Sequence, residues 1–173
     1  MNVVLCGMMA CGKSTVGKVL ARRLGWKYVD TDEEIVQRYG AISALFETRG
    51  EAYFRRLEQE IVAEVAREEK VVIATGGGVV TVPENVAALR GNGRIVFLRA
   101  KLETLIERLR GDETRPLVQG EDWQEKTERI LALRTPIYLA VSDCVLDVDG
   151  KTAEEIVDEI IGNEKINLTG AGL

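Results

Sequence analysis

One stretch constrains the fold of this chain more than any other: "VVLCGMMACGKSTVGKVL", residues 3–20, sets a G-x-x-x-x-G-K-S sequence between a run of β-branched residues and a helical pattern. A glycine-bearing loop between a buried strand and a helix turns its backbone N–H groups inward, and the helix adds the positive end of its dipole. That combination binds phosphates. Gly7 and Gly12 allow the loop to close, Lys13 is placed to reach β- and γ-phosphates, and Ser14 offers a hydroxyl to Mg²⁺. Ala10, Cys11 and Thr15 complete the predicted nucleotide contacts. A loop of this kind places a parallel strand at the start of an α/β fold.

The rest of the chain agrees with that start. Short apolar runs at 3–6, 28–29, 71–74, 95–98 and 145–146 read as buried parallel strands, because they are apolar without alternation. Helical patterns lie between them, at 13–24, 33–39, 51–68, 84–89, 102–110, 123–139 and 152–161. Alternation of this sort predicts a doubly wound parallel sheet of about five strands. A length of 173 residues suits one domain, expected over 1–162, with a frayed tail at 163–173 and a polar lid at 111–122.

Composition narrows the chemistry. The chain has no histidine, which excludes Ser-His-Asp and Cys-His catalysis and leaves acid–base work to carboxylates, lysine, tyrosine or thiol. A net charge of −5 without a basic stripe argues against nucleic acid as a partner. No apolar run approaches the roughly 18–20 residues of a membrane span. Cys6, Cys11 and Cys144 are odd in number and read as reduced thiols. With no export signal, these features predict a cytoplasmic protein, expected to act as a monomer.

A phosphate loop leaves kinase, GTPase and motor open. No N/T-K-x-D guanine sequence is present, and the chain is short for a motor, so a small kinase is the reading to test for an acceptor site. "YVDTDEEI" ends the second strand at the sheet edge that faces ligands, with Asp30 and Asp32 spaced to divide two tasks, holding Mg²⁺ and meeting the acceptor hydroxyl. The competing role for Asp32 is to cap the following helix. "TRGEAYFRRLEQEI" carries Arg55 and Glu58 one turn apart, an arrangement that also occurs as a solvated ion pair; Ala52, Phe54, Leu57, Ile61 and Val65 form its core face. "VVIATGGGVV" sets Gly76, Gly77 and Gly78 after the third strand, either as a turn using positive φ or as backbone that meets a second ligand.

Taken in order, the phosphate loop, DTD, GEAYFRRLE, GGG, TRPLV and RTPIY resemble the shikimate kinase family over residues 7–138. The resemblance implies transfer of the γ-phosphoryl of ATP to the 3-hydroxyl of shikimate, with Mg²⁺. It implies that Asp30 supports the metal, that Asp32 binds shikimate hydroxyls and acts as base, and that Arg55 and Arg134 grip the shikimate carboxylate beside Glu58. It also implies that Arg115 is the lid arginine on the phosphates, that Arg108 or the nearby Arg110 stacks on adenine, and that Gly76–Gly78 line the acceptor pocket. Ala10 and Cys11 depart from the family's usual glycine and small residue, which bears on the local backbone shape. The rival readings are a gluconate or nucleoside monophosphate kinase and a nucleotide-binding module without catalysis.

Overall fold

The structure, a computed structural model, describes residues 1–110 and 120–168. Five parallel strands form one sheet: β1 (Asn2–Cys6), β2 (Lys27–Asp30), β3 (Val71–Ala74), β4 (Gly93–Arg99) and β5 (Cys144–Asp147), in the order β2-β3-β1-β4-β5. The helices are α1 (Lys13–Leu24), α2 (Thr31–Tyr39), α3 (Ile42–Arg49), α4 (Glu51–Val65), α5 (Pro83–Gly91), α6 (Leu102–Leu109), α7 (Trp123–Val141) and α8 (Ala153–Ile161). The doubly wound sheet expected from the alternation is present.

β1 shows why its sequence lacks alternation. Val3 and Leu5 point into a core shared with α1, α6 and α8, while Val4 and Cys6 point into a second core shared with α4 and α5. Both faces are covered, so Val3, Val4, Leu5 and Cys6 are all apolar. Burial also pushes the Cys6 thiol up to about 12, which leaves it protonated and inert.

Several expectations are corrected. α3 is absent from the sequence pattern: its eight residues lie between glycines and bury only Leu45, so periodicity is too weak to reveal it. α4 stops at Val65, and Ala52, expected on its core face, is exposed. Residues 163–168, expected to fray, pack instead: Ile166 is fully buried and Asn163 Nδ2 donates to Cys144 Sγ at 3.1 Å. α7 runs through Pro136, whose missing N–H leaves the carbonyl four residues back at exposed Ala132, where water can serve it.

Ala10 has φ +63°. The loop thus keeps a left-handed bend although its residue is not glycine, at a cost of about 1–2 kcal/mol. Glycine would remove that strain but add entropy to the unfolded chain. Ala10→Gly is therefore expected to stabilise the fold by about 0.5–1 kcal/mol, seen as a rise of about 1–4 °C in Tm by calorimetry.

Candidate active site

The two glycine loops follow neighbouring strands, β1 and β3, and open at the same sheet edge. The first wraps the N-terminus of α1. Lys13 Nζ donates to the carbonyls of Gly7 and Met8, both at 2.9 Å, which holds the ammonium inside the loop. Gly7 is required here by space as well as φ (+145°): a Cβ would stand 2.6 Å from the Leu98 carbonyl oxygen. Residues 10–15 line a cleft of about 610 Å³ that also reaches Asp30, Asp32, Gly77 and Arg108. Arg108 Nη1 donates to the Ala10 carbonyl at 3.1 Å, whereas Arg110 is not among the cleft's lining residues. Geometry thus favours Arg108 of the two. Cys11 lines the cleft too, with its residue almost wholly buried.

Asp30 joins the two halves of the site. Its Oδ2 accepts from the Ser14 hydroxyl at 2.8 Å and from the Tyr28 hydroxyl at 3.3 Å. Its Oδ1 accepts the N–H groups of Asp32 and Glu33 at 3.0 and 3.3 Å, which makes Asp30 the cap of α2. The capping role weighed for Asp32 belongs to Asp30, and the Asp32 side chain is directed at the second glycine loop. A hydroxyl and a carboxylate 2.8 Å apart are hard oxygen donors of the kind Mg²⁺ takes alongside water and phosphate oxygens. The residues present fit that ion, although the described residues contain no cluster of three or more His, Cys, Asp or Glu side chains of the kind that holds a metal unaided.

In the second loop the chain does turn, with the Val79 N–H donating to the Gly76 carbonyl at 3.1 Å, but none of Gly76, Gly77 and Gly78 has a positive φ: these glycines are needed for space. Each faces a different charged side chain. A Cβ on Gly76 would lie 2.6 Å from Asp32 Oδ1 and 3.2 Å from Glu58 Oε1. One on Gly77 would lie 2.9 Å from Arg134 Nη1, and one on Gly78 would lie 2.8 Å from Arg55 Nη2. Four charged residues from three helices therefore converge on three residues of backbone.

The Arg55–Glu58 pair is not a solvated one. Arg55 Nη1 meets Glu58 Oε2 at 2.9 Å, and the Glu58 side chain is 1% exposed. Burial pushes the Glu58 carboxyl above the ordinary range, and Arg55 beside it pulls the other way. The Arg55 guanidinium also lies over the Phe54 ring, 5.3 Å from its centroid, and Phe54 packs on Phe46 at 4.8 Å. A planar cation held by a carboxylate and a ring is oriented before any ligand arrives.

Arg115 and the expected lid, apart from Gly120–Asp122, lie outside the described residues. Every other predicted site residue is brought to this edge of the sheet. Sequence reasoning assigned no role to Thr31, Tyr138 or Lys151: Lys151 lines the cleft, and the other two reach the glycine loop from within the protein. Lys151 has no spacing that marks it, and the motifs DTD and RTPIY contain Thr31 and Tyr138 without saying what their hydroxyls bond.

Comparison with known proteins decides the lineage. The family model described as Shikimate kinase matches residues 9–164. The chain belongs to the shikimate kinase family. A shikimate kinase from Hahella chejuensis is 41% identical, over 92% of this chain and 84% of its own. One from Caldicellulosiruptor bescii is 42% identical, over 92% and 93%. Among solved structures, a shikimate kinase from Acinetobacter baumannii in complex with shikimate superposes with a TM-score of 0.90 at 33% identity, covering 98% of this chain and 93% of that one. The chain is accordingly an ATP-dependent kinase of this family; the matched residues include the second glycine loop and the first from Met9 onward. No described helix is long and apolar enough to cross a membrane.

Proposed function

We propose that this cleft transfers the γ-phosphoryl of ATP to the 3-hydroxyl of shikimate through the residues assembled above. The observation that carries the reading is the convergence of Asp32, Glu58, Arg134 and Arg55 on Gly76–Gly78, directly beside the phosphate loop. An acceptor with hydroxyls at one end and a carboxylate at the other suits an aspartate facing two arginines.

The phosphate loop and Lys13 hold the β- and γ-phosphates, with Thr15 reaching the α-phosphate and Arg108 the adenine. Ser14 and Asp30 would hold Mg²⁺, which neutralises charge on the phosphates when bound. Asp32 orients the acceptor hydroxyl and takes its proton as the bond to phosphorus forms. Arg55 and Arg134 clamp the carboxylate, with Glu58 fixing the plane of Arg55. Arg115 is the cation expected over the phosphates, in the lid. Phosphoryl transfer passes through a loose transition state, so positioning and charge outweigh the strength of the base. The protein is read as a cytoplasmic monomer.

The direct test is ADP release with ATP·Mg²⁺ and shikimate. Release should depend on shikimate; equal or faster release with gluconate or a nucleoside monophosphate would replace the assignment. Arg55→Lys supplies the finer check. Lysine keeps the charge but loses the planar fork, so kcat/KM for shikimate is expected to fall about 10- to 100-fold, since each charge-assisted hydrogen bond is worth about 1.5–3 kcal/mol. The KM for ATP should stay within about twofold, because the phosphate loop does not touch Arg55.

A further inference from the structure

The structure assigns a positioning role to two buried hydroxyls, those of Thr31 and Tyr138, which pin the second glycine loop against the first. This inference rests on the acceptor reading above and names what sets the acceptor's distance from the phosphates.

Three consecutive residues of the loop are tied to three different elements. Thr75 donates both its N–H and its hydroxyl to the Leu5 carbonyl of β1, at 3.0 and 3.1 Å. Gly76 donates its N–H to Thr31 Oγ1 on α2, at 2.9 Å. Gly77 accepts at its carbonyl from the Tyr138 hydroxyl on α7, at 2.7 Å. Thr31 and Tyr138 are both fully buried, so neither hydroxyl is open to substrate. Loop backbone is a partner of each, and the Tyr138 hydroxyl also meets the Arg134 side chain.

Neither anchor depends on a ligand for its own place. Thr31 is held between Asp30, the cap of α2, and Asp32, so the residue that fixes Gly76 sits between the metal-side and acceptor-side carboxylates. The Tyr138 ring packs on Phe97 of β4 with centroids 5.0 Å apart, and Arg134 stands one helical turn earlier on the same face of α7. Opposite the loop lies Gly7, whose carbonyl oxygen is 3.7 Å from where a Gly77 Cβ would be and which also accepts from Lys13. The pinned loop thus stands directly across from the phosphate loop. Losing an anchor would leave a buried N–H or carbonyl to find another partner by shifting the backbone. A displacement near 1 Å in such a site can cost on the order of 100-fold in rate.

The test is steady-state kinetics of Thr31→Val, Thr31→Ser and Tyr138→Phe with both substrates varied. Thr31→Val keeps the branched shape and removes the hydroxyl; kcat/KM for shikimate should fall about 10-fold or more while the KM for ATP stays within about twofold. Thr31→Ser restores the hydroxyl and should recover to within about threefold of the parent. Tyr138→Phe keeps the ring packing and should reproduce the same split between substrates, with a fall of about fivefold or more. If Thr31→Val does not fold, Thr31→Ala stands in for it, because Tyr138→Phe also removes a contact of the Arg134 side chain. Shikimate kinetics within twofold of the parent in the folded hydroxyl-less variants would overturn the assignment. So would a Thr31→Ser variant as poor as Thr31→Val, or an ATP KM that rises in step with that for shikimate. If the parent protein releases ADP only with a different acceptor, the shikimate reading fails instead, and the same ratios measured with that acceptor decide the role of the anchors.

Discussion

Lys13→Ala is expected to lower kcat by about 100- to 1000-fold in a protein that still folds. The ammonium lies inside the phosphate loop, 2.9 Å from the carbonyls of Gly7 and Met8, with the Cys11 sulfur 3.8 Å away. On the proposed reading it is pre-placed where charge gathers on the transferring phosphoryl group. Removing one such donor from a preorganised site costs about 2.7–4 kcal/mol of transition-state stabilisation. Because the lysine meets phosphates in both ground and transition states, the KM for ATP should rise as well. The shikimate KM should move little, since Arg55, Arg134 and Asp32 are intact. Single-turnover phosphate transfer, followed by rapid quench, is the measurement. Turnover within about threefold of the parent would remove Lys13 from the chemistry.

The second large effect is expected at Asp32. Asp32→Asn keeps the shape that packs against Gly76, and it leaves the cap of α2 untouched because Asp30 supplies that cap. The lost charge near the helix N-terminus costs only about 0.3–1 kcal/mol of stability. Turnover, by contrast, should fall by at least about 100-fold, the lower end of what general-base catalysis and substrate positioning supply together. A comparison with Asp30→Asn separates the two carboxylates. Raised Mg²⁺ should restore part of the activity of Asp30→Asn, whose partner is the Ser14 hydroxyl. It should do nothing for Asp32→Asn. If both variants recover with Mg²⁺, the two aspartates share the metal and neither serves as base.

The sheet and the phosphate loop were legible because each rests on short-range rules: apolar runs buried on both faces, and a glycine loop between strand and helix. α3 was not, since eight residues with one buried side chain carry almost no period. The burial of Glu58 was present in the sequence, although the Arg55–Glu58 spacing alone left a solvated pair open. It lies four residues after Phe54 and three before Ile61, on the apolar face of α4, yet charge argued for solvent. Asp30 and Asp32 could not be told apart by spacing, because the cap depends on where the first helical residue falls. Thr31 and Tyr138 stand inside DTD and RTPIY, but their roles were hidden for a different reason. Their partners are backbone groups 45 and 61 residues away, and no local pattern reports a contact of that range.

The adjacency of β1 and β3 has a consequence for how such a protein can change. Strands in one sheet stand about 4.8 Å apart, a spacing imposed by backbone hydrogen bonds that no side chain adjusts. Donor loop and acceptor loop each spring from the end of one of these two strands. The sheet therefore acts as a ruler for the gap the phosphorus must cross. The side chains proposed to read the acceptor, Asp32, Arg55, Glu58 and Arg134, ride on helices α2, α4 and α7, and can be exchanged without disturbing the ruler so long as the anchors Thr31 and Tyr138 are kept. A lineage built this way can exchange one alcohol for another by editing helices, while the distance over which it transfers a phosphoryl group is inherited unchanged.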